Sequence, residues 1–177
     1  MIYVDVKDNI KAFLASVGTA TKEQLVSFFK DAAPERAIEG SIKELRMSGV
    51  IKEEDEYYRL MSSPKLTREE IRRRLLVLDC LSQLHSKDVI AIQLYQYPVY
   101  FIVATEDGFM SYSLVRQVPD KLTIDALLRL SENTTGEGNI KHYAVVLEYR
   151  IGKEVSDIFD GYFLVTKEGA TLYESKT

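Results

Sequence analysis

Apolar residues in the first third of the chain recur at the spacing of an α-helix. The segment 8–17 carries them at i, i+3, i+4 and i+7, which predicts an amphipathic helix. Thr21 and Gln24 form a capping box that begins a second helix. Pro34 is suited to the first position of a third helix, and Gly49 is suited to end it. This stretch therefore predicts three short helices in succession.

Two short apolar segments, VIK and YYRL, follow the third helix and flank an acidic turn. Such segments around a turn predict a β-hairpin. Three helices and then a hairpin is the order of a winged helix, in which one helix reads DNA and the hairpin forms the wing. We therefore predict an N-terminal winged helix-turn-helix domain over residues 1–62.

A boundary and one long helix come next. The segment SSPKL at 62–66 is typical of a break between structured regions. Thr67 and Glu70 form a second capping box, which begins a helix that runs to about His85. We treat residues 63–86 as a linker helix.

Residues 87–177 differ in composition from the preceding residues, because they contain several segments rich in β-branched and aromatic residues. VIAIQLY, VYFIVAT and FMSYSLV predict three strands, and a helix is expected near 122–131. IKHYAVVLEY predicts a buried strand, followed by a short helix and a closing hairpin with KEG as its turn. This order predicts a small α/β domain with a mixed sheet, so the predicted fold class of the whole chain is α+β.

Composition narrows the function classes. The hydrophobic content of 46% and the charged content of 28% are typical of a folded soluble protein. A net charge of -4 argues against a protein that coats nucleic acid through bulk charge. We expect no membrane association, because no apolar segment approaches roughly 18 residues. The single Cys80 and the acidic start of the chain favour a cytoplasmic protein.

The third helix provides the first candidate site. Arg36, Lys43 and Arg46 lie off its apolar stripe and could reach base edges or phosphates in a major groove. The same helix carries three acids: Glu35, Glu39 and Glu44. The alternative interpretation is therefore a solvated face stabilised by i, i+4 pairs such as Glu39 with Lys43.

The predicted wing is acidic at its tip, residues 53–56, which read EEDE. Residues 1–63 contain nine Lys/Arg and eleven Asp/Glu, a net charge of -2. Four consecutive acids would be repelled by a phosphate backbone. If this domain binds DNA, the wing tip must point away from it.

The linker helix contains the densest cluster of cations, in KLTREEIRRR. Arg68 and Arg72 are four residues apart and could clamp a phosphate. The alternative is a charged helix face, in which Glu69 pairs with Arg73 and Glu70 pairs with Arg74. Several leucines also give this helix an apolar surface wide enough for a dimer contact.

Catalytic patterns are weak throughout the chain. The αβββαβ order is similar to a restriction-endonuclease-like core, in which an acid on one strand and an acid-x-Lys triplet on the next hold a metal. Neither YPVYFIVAT nor FMSYSLVRQ contains that triplet, and Glu148-Tyr149-Arg150 stands alone on a later strand. His85, His142 and Cys80 each suit an ordinary structural position. We therefore expect no enzyme activity and no cofactor or metal, and keep an unusual nuclease as a third hypothesis.

The layout of winged helix, basic helical linker and endonuclease-like domain resembles the replication-relaxation type of protein. These small proteins accompany plasmids and conjugative elements of Gram-positive bacteria. IKHYAVVLEY followed by GYFLVTKEGATLYES is similar to their closing strand and hairpin. The resemblance implies a DNA-linked role in a mobile genetic element, with Arg36, Lys43 and Arg46 as the reading residues.

Two function hypotheses follow. The first is a non-catalytic regulator or accessory factor that binds double-stranded DNA through the third helix, with Arg68 and Arg72 on phosphates. In it the α/β domain or the linker helix contacts a protein partner or a second copy. The second is a protein-protein interaction module that binds no nucleic acid, as the acidic wing and the negative net charge favour.

Overall fold

The structure of the chain is a computed structural model that describes residues 5–84, 88–95, 99–117, 125, 126, 129 and 140–174. Over these residues the protein is a mixed α+β fold with five helices, which confirms the predicted fold class at this level. It divides into two compact units, Met1–Asp88 and Val89–Thr177. His85 and nearly all of the predicted helix near 122–131 lie outside the described residues. None of the helices in the described ranges is long and apolar enough to cross a membrane.

The first unit contains four helices and a small sheet. In chain order its elements are α1 (Val6–Val17), β1 (Ala20–Thr21), α2 (Lys22–Phe29), α3 (Glu35–Met47), β2 (Ile51–Glu54), β3 (Tyr57–Leu60) and α4 (Arg68–Leu81). The sheet is antiparallel with the order β1-β3-β2, and β2 and β3 form the predicted hairpin. α4 ends at Leu81, before the predicted end at His85, and lies within this unit.

Local signals at the helix ends largely agree with the sequence. The capping box of α2 is confirmed: the Gln24 backbone N–H donates to Thr21 Oγ1, and the Thr21 N–H donates to Gln24 Oε1. Pro34 is the residue before α3 and not its first residue, because its ψ of 144° is extended. A proline at this position has no backbone N–H of its own that would need a partner.

The core of the first unit orients α3. Phe13 of α1 packs on Phe28 and Phe29 of α2, with ring centroids 4.5 and 5.7 Å away. α3 turns one apolar stripe, Ile38, Ile42 and Leu45, into this core. At 100° per residue the opposite face of α3 must therefore point away from the unit.

The second unit is built on one six-stranded mixed sheet. Its elements are β4 (Val89–Leu94), β5 (Val99–Thr105), β6 (Gly108–Leu114), β7 (Ile140–Val146), α5 (Tyr149–Val155), β8 (Gly161–Thr166) and β9 (Gly169–Glu174). The strands are in chain order across the sheet. β4, β5 and β6 are antiparallel neighbours, β6, β7 and β8 are parallel, and β9 returns antiparallel.

Both faces of this sheet carry buried side chains. Rings of Tyr112, Tyr143 and Phe163 pack together on one face, with centroids 5.7 to 5.9 Å apart. Ala144 points to the opposite face, because successive strand residues alternate. There it joins a core cluster that includes Val155 of α5.

Candidate nucleic-acid interface

The outer face of α3 presents a row of four exposed residues. Arg36, Gly40, Lys43 and Met47 are spaced by four, three and four residues, so they share the side of α3 opposite its buried stripe. All four are exposed, and Met47 is 76% exposed. We call this row the outward stripe. It carries two positive charges and no acid.

The acids of α3 beside the outward stripe are held by other elements. Glu44 forms an ion pair with Lys7 of α1, with Nζ and Oε2 2.9 Å apart. Glu39 forms an ion pair with Lys22 of α2. The pair of Glu39 with Lys43, which the alternative interpretation expected, is not formed, and the cation that Glu39 contacts comes from another helix. Within the described residues, neither Lys43 nor Arg36 has an ion-pair partner.

Gly40 leaves a gap between these two cations. A Cβ atom built at this position would meet no heavy atom within 4 Å. The backbone of α3 is thus open to close approach between Arg36 and Lys43. Gly40 and Met47 were not among the predicted reading residues, although their spacing relative to Arg36 and Lys43 was a signal that could have identified them.

Arg46, the third predicted reading residue, lies to one side of the outward stripe. It forms an ion pair with Glu53 of β2, and the two side chains are 50% and 39% exposed. The structure therefore brings Arg46 to the hairpin and separates it from Arg36 and Lys43. The pair also neutralises one of the four acids of the predicted wing tip.

A second acid of the hairpin, Glu54, is held by three neighbours. Arg59 Nη2 and Lys52 Nζ each lie 2.9 Å from Glu54 Oε1, and the Tyr57 hydroxyl donates to Oε2 at 3.1 Å. The hydrogen bonds from Arg59 and then from Lys52 lower the pKa of Glu54 from 4.5 to about 2. The hairpin is thus stabilised by ion pairs among its own residues. Its net negative charge is smaller than the four consecutive acids alone indicate.

Replacing Glu54 with glutamine is expected to make the first unit less stable at neutral pH and less sensitive to acid. Since the folded pKa is depressed, the ionised carboxylate stabilises the fold above its unfolded pKa, and this contribution is lost as pH falls from 4.5 towards about 2. Thermal unfolding measured from neutral pH down to about pH 2 should give a higher Tm for wild type than for the variant, and this difference in Tm should disappear within the window. Asp55→Asn is the control, because it removes a neighbouring charge and keeps every Glu54 contact. A constant gap at all pH values contradicts the assignment.

The cations of α4 fall into two groups. Glu69 pairs with Arg73 and Glu70 pairs with Arg74, as predicted. Arg68 and Arg72 instead line a groove of about 1060 Å³ between α4 and the hairpin. The opposite wall carries the four hairpin acids, and no α3 residue lines the groove. The predicted phosphate clamp is thus on a different surface from the outward stripe.

In the second unit, His142 is paired with a serine. Ser111 Oγ and His142 Nδ1 are 2.7 Å apart across the paired strands β6 and β7. Burial lowers the pKa of His142, and Asp160 partly opposes this. The Ser111 side chain has no solvent exposure, and Asp160 accepts from the backbone N–H of His142. This pair therefore links two strands and offers a substrate no access to Ser111.

Among the described residues, no group of three or more His, Cys, Asp or Glu side chains is placed to hold a metal ion. Cys80 is buried in α4, and burial raises the pKa of its thiol well above the usual value. No protein-family model matches the sequence, and a comparison with curated proteins gives no match.

Proposed function

We propose that the first unit is a winged-helix domain that binds double-stranded DNA, with α3 as the helix that enters the major groove. The chain would act as a non-catalytic regulator or accessory factor of a mobile genetic element. The element order and the hairpin after α3 support the winged-helix assignment. The mobile-element role is supported by the resemblance of β7 and the β8–β9 hairpin to replication-relaxation-type proteins.

The outward stripe is the observation that carries this proposal. A helix that reads DNA needs cations on its solvent face and room for the sugar-phosphate backbone to approach. Arg36 and Lys43 supply the cations, and Gly40 leaves the room. Two of the three acids of α3, Glu44 and Glu39, form ion pairs with Lys7 and Lys22 of the neighbouring helices. The local charge facing a DNA groove is therefore positive although the charge of the whole chain is negative.

In the second unit, three antiparallel strands are followed by parallel ones, which supports the proposal of an endonuclease-like framework. We propose that this framework is kept for protein contacts and not for nuclease chemistry. Its β5 and β6 strands carry no acid-x-Lys triplet, and its Ser111–His142 pair is closed to substrate.

A salt titration with a fluorescent mixed-sequence duplex tests the DNA proposal. Wild-type protein is expected to raise the anisotropy of the duplex at roughly 50 mM salt and to bind much more weakly at roughly 200 mM. The variant Arg36→Ala/Lys43→Ala should bind more weakly and lower the slope of log K against log salt by about 1.8, for two lost phosphate contacts.

The control is Arg150→Ala/Lys153→Ala, which removes the same charge from exposed positions of α5. It should bind as wild type does. Equal losses in both variants would indicate that net charge, and not α3, drives binding. Absence of binding at the lower salt concentration would rule out the proposal.

The alternative function is a protein-protein interaction module. The groove between α4 and the hairpin favours it, because a lining that carries both acids and cations suits a protein segment better than it suits DNA. If folded wild-type protein does not bind the duplex in the titration above, this becomes the leading function.

A further inference from the structure

The side of α4 that lines the groove carries apolar residues as well as charged ones. α4 contributes six residues to the groove. Besides the buried Ile71, five recur along one side of the helix: Arg68, Arg72, Leu75, Leu76 and Asp79. They span eleven residue steps, or about 16 Å of helix. We call these five residues the groove stripe. Its centre is apolar, one end is positive and the other end is negative.

This order of charges makes the groove stripe complementary to itself. If a second copy of α4 lies antiparallel, with a two-fold axis between Leu75 and Leu76, these leucines face each other across the axis. The same axis places Arg72 opposite Asp79 of the second copy, and Asp79 opposite its Arg72. Each pair then occurs twice, as in any two-fold interface between identical chains.

Asp79 adds an independent reason for a cationic partner. Its carboxylate is half-buried and accepts a hydrogen bond from Gln24 Nε2 at 2.6 Å. Burial raises the pKa of Asp79, and the neutral Gln24 amide opposes this only in part. Within the described residues no cation pairs with it. A half-buried carboxylate is stabilised when a cation reaches it.

The remaining features of the groove suit the same occupant. α4 contains four arginines and three acids, so a second α4 is positive overall beside the acidic hairpin wall. Arg68 of an antiparallel copy would lie near the C-terminal end of α4, where a cation is favoured by the helix dipole. A purely anionic ligand would instead face Asp55 and Glu56, the two hairpin acids that form no ion pair within the described residues.

We propose that this chain forms a homodimer in which the groove stripe of one copy packs antiparallel on the groove stripe of another. The proposal does not depend on DNA binding, because neither Arg36 nor Lys43 belongs to the groove. Its failure and the failure of the DNA proposal are therefore separate outcomes.

Sedimentation equilibrium of the full chain over a concentration series tests the dimer. Wild type should reach twice the 20.2 kDa mass of the chain. Arg72→Asp and Asp79→Arg should each weaken the dimer by about 100-fold, since each places like charges together at two symmetric points. Arg36→Asp is the matched control for charge, and it should dimerise as wild type does.

Two rescues make the test specific for antiparallel pairing. The double variant Arg72→Asp/Asp79→Arg restores opposite charges at both points and should dimerise. An equimolar mixture of the two single variants should form a heterodimer, because each chain then supplies the charge that the other needs. Circular dichroism of each variant checks that it is folded.

A wild-type chain that stays monomeric at every concentration overturns the proposal. So do single variants that dimerise as well as wild type, or a folded double variant and mixture that both stay monomeric.

Discussion

Replacing Phe13 with alanine is expected to lower the free energy of unfolding of the first unit by about 3–5 kcal/mol. Phe13 is almost fully buried and contacts two rings, Phe28 and Phe29, that lie in edge-to-face contact with each other. Truncation removes the transfer free energy of the ring and leaves a cavity that the α1 and α2 backbones cannot fill. Since a unit of this size is stable by roughly 5–15 kcal/mol, this one change removes a large part of its stability.

Urea denaturation followed by far-UV circular dichroism measures the Phe13→Ala effect. Four of the five helices in the described residues belong to the first unit, so the helical signal reports mainly on it. Met61→Ala is the control, because Met61 is 53% exposed and its truncation should change stability by less than about 0.5 kcal/mol. A loss below about 1 kcal/mol for Phe13→Ala would mean that the aromatic cluster does not organise this core.

Replacing Gly40 with glutamate is expected to change stability and DNA affinity in opposite directions. A Cβ atom added at position 40 would meet no atom within 4 Å beyond the adjacent backbone of α3, and glutamate is a better helix former than glycine by about 0.5 kcal/mol. The first unit should therefore become slightly more stable. The new carboxylate lies four residues from Arg36 and three from Lys43, so it can pair with both and repel phosphate.

We expect Gly40→Glu to weaken duplex binding by about tenfold or more, a cost of about 1.4 kcal/mol. Gly40→Lys has a similar helix preference and the opposite charge, and it should raise affinity and steepen the salt slope by about 0.9. Gly40→Ala is the uncharged control, because it adds a side chain and raises helix propensity without adding a charge. Equal DNA affinity in the glutamate and lysine variants would contradict a role for the outward stripe.

Local features of the fold could be predicted from the sequence, because they depend on residues a few positions apart. The capping box at Thr21 and Gln24 and the hairpin around its acidic turn are of this kind. The α4 pairs of Glu69 with Arg73 and of Glu70 with Arg74 are also local. Helical spacing and ionic preference at i, i+4 were sufficient to identify them.

Charge pairing between elements could not be predicted in this way. Glu44 and Lys7 are 37 residues apart, and only the packing of α1 on α3 brings them together. The same holds for Glu39 with Lys22, which is formed in place of the local pair of the alternative interpretation. Counting charges made α3 neutral, whereas two of its three acids form ion pairs with cations of neighbouring helices. The sequence therefore predicted Arg36 and Lys43 as candidates but underestimated the positive charge around them.

The groove between α4 and the hairpin could not be predicted from the sequence either. Arg68 and Arg72 were predicted to hold phosphates because they are cations four residues apart. Their surroundings depend on where β2 and β3 lie against α4, which helical spacing does not determine. The parallel pairing of β6 with β7 is a further example, since an internal segment of 25 residues separates these strands.

The most direct test of the central claim, that the outward stripe of α3 contacts DNA, is site-specific photocrosslinking. A photoreactive phenylalanine analogue would replace Met47, in the outward stripe, or Met61, which is also exposed but lies after β3. Irradiation with a labelled duplex at low salt is expected to give a crosslinked band from position 47 and much less from position 61. A duplex that binds both proteins but crosslinks only at position 61, or at neither position, would contradict the account.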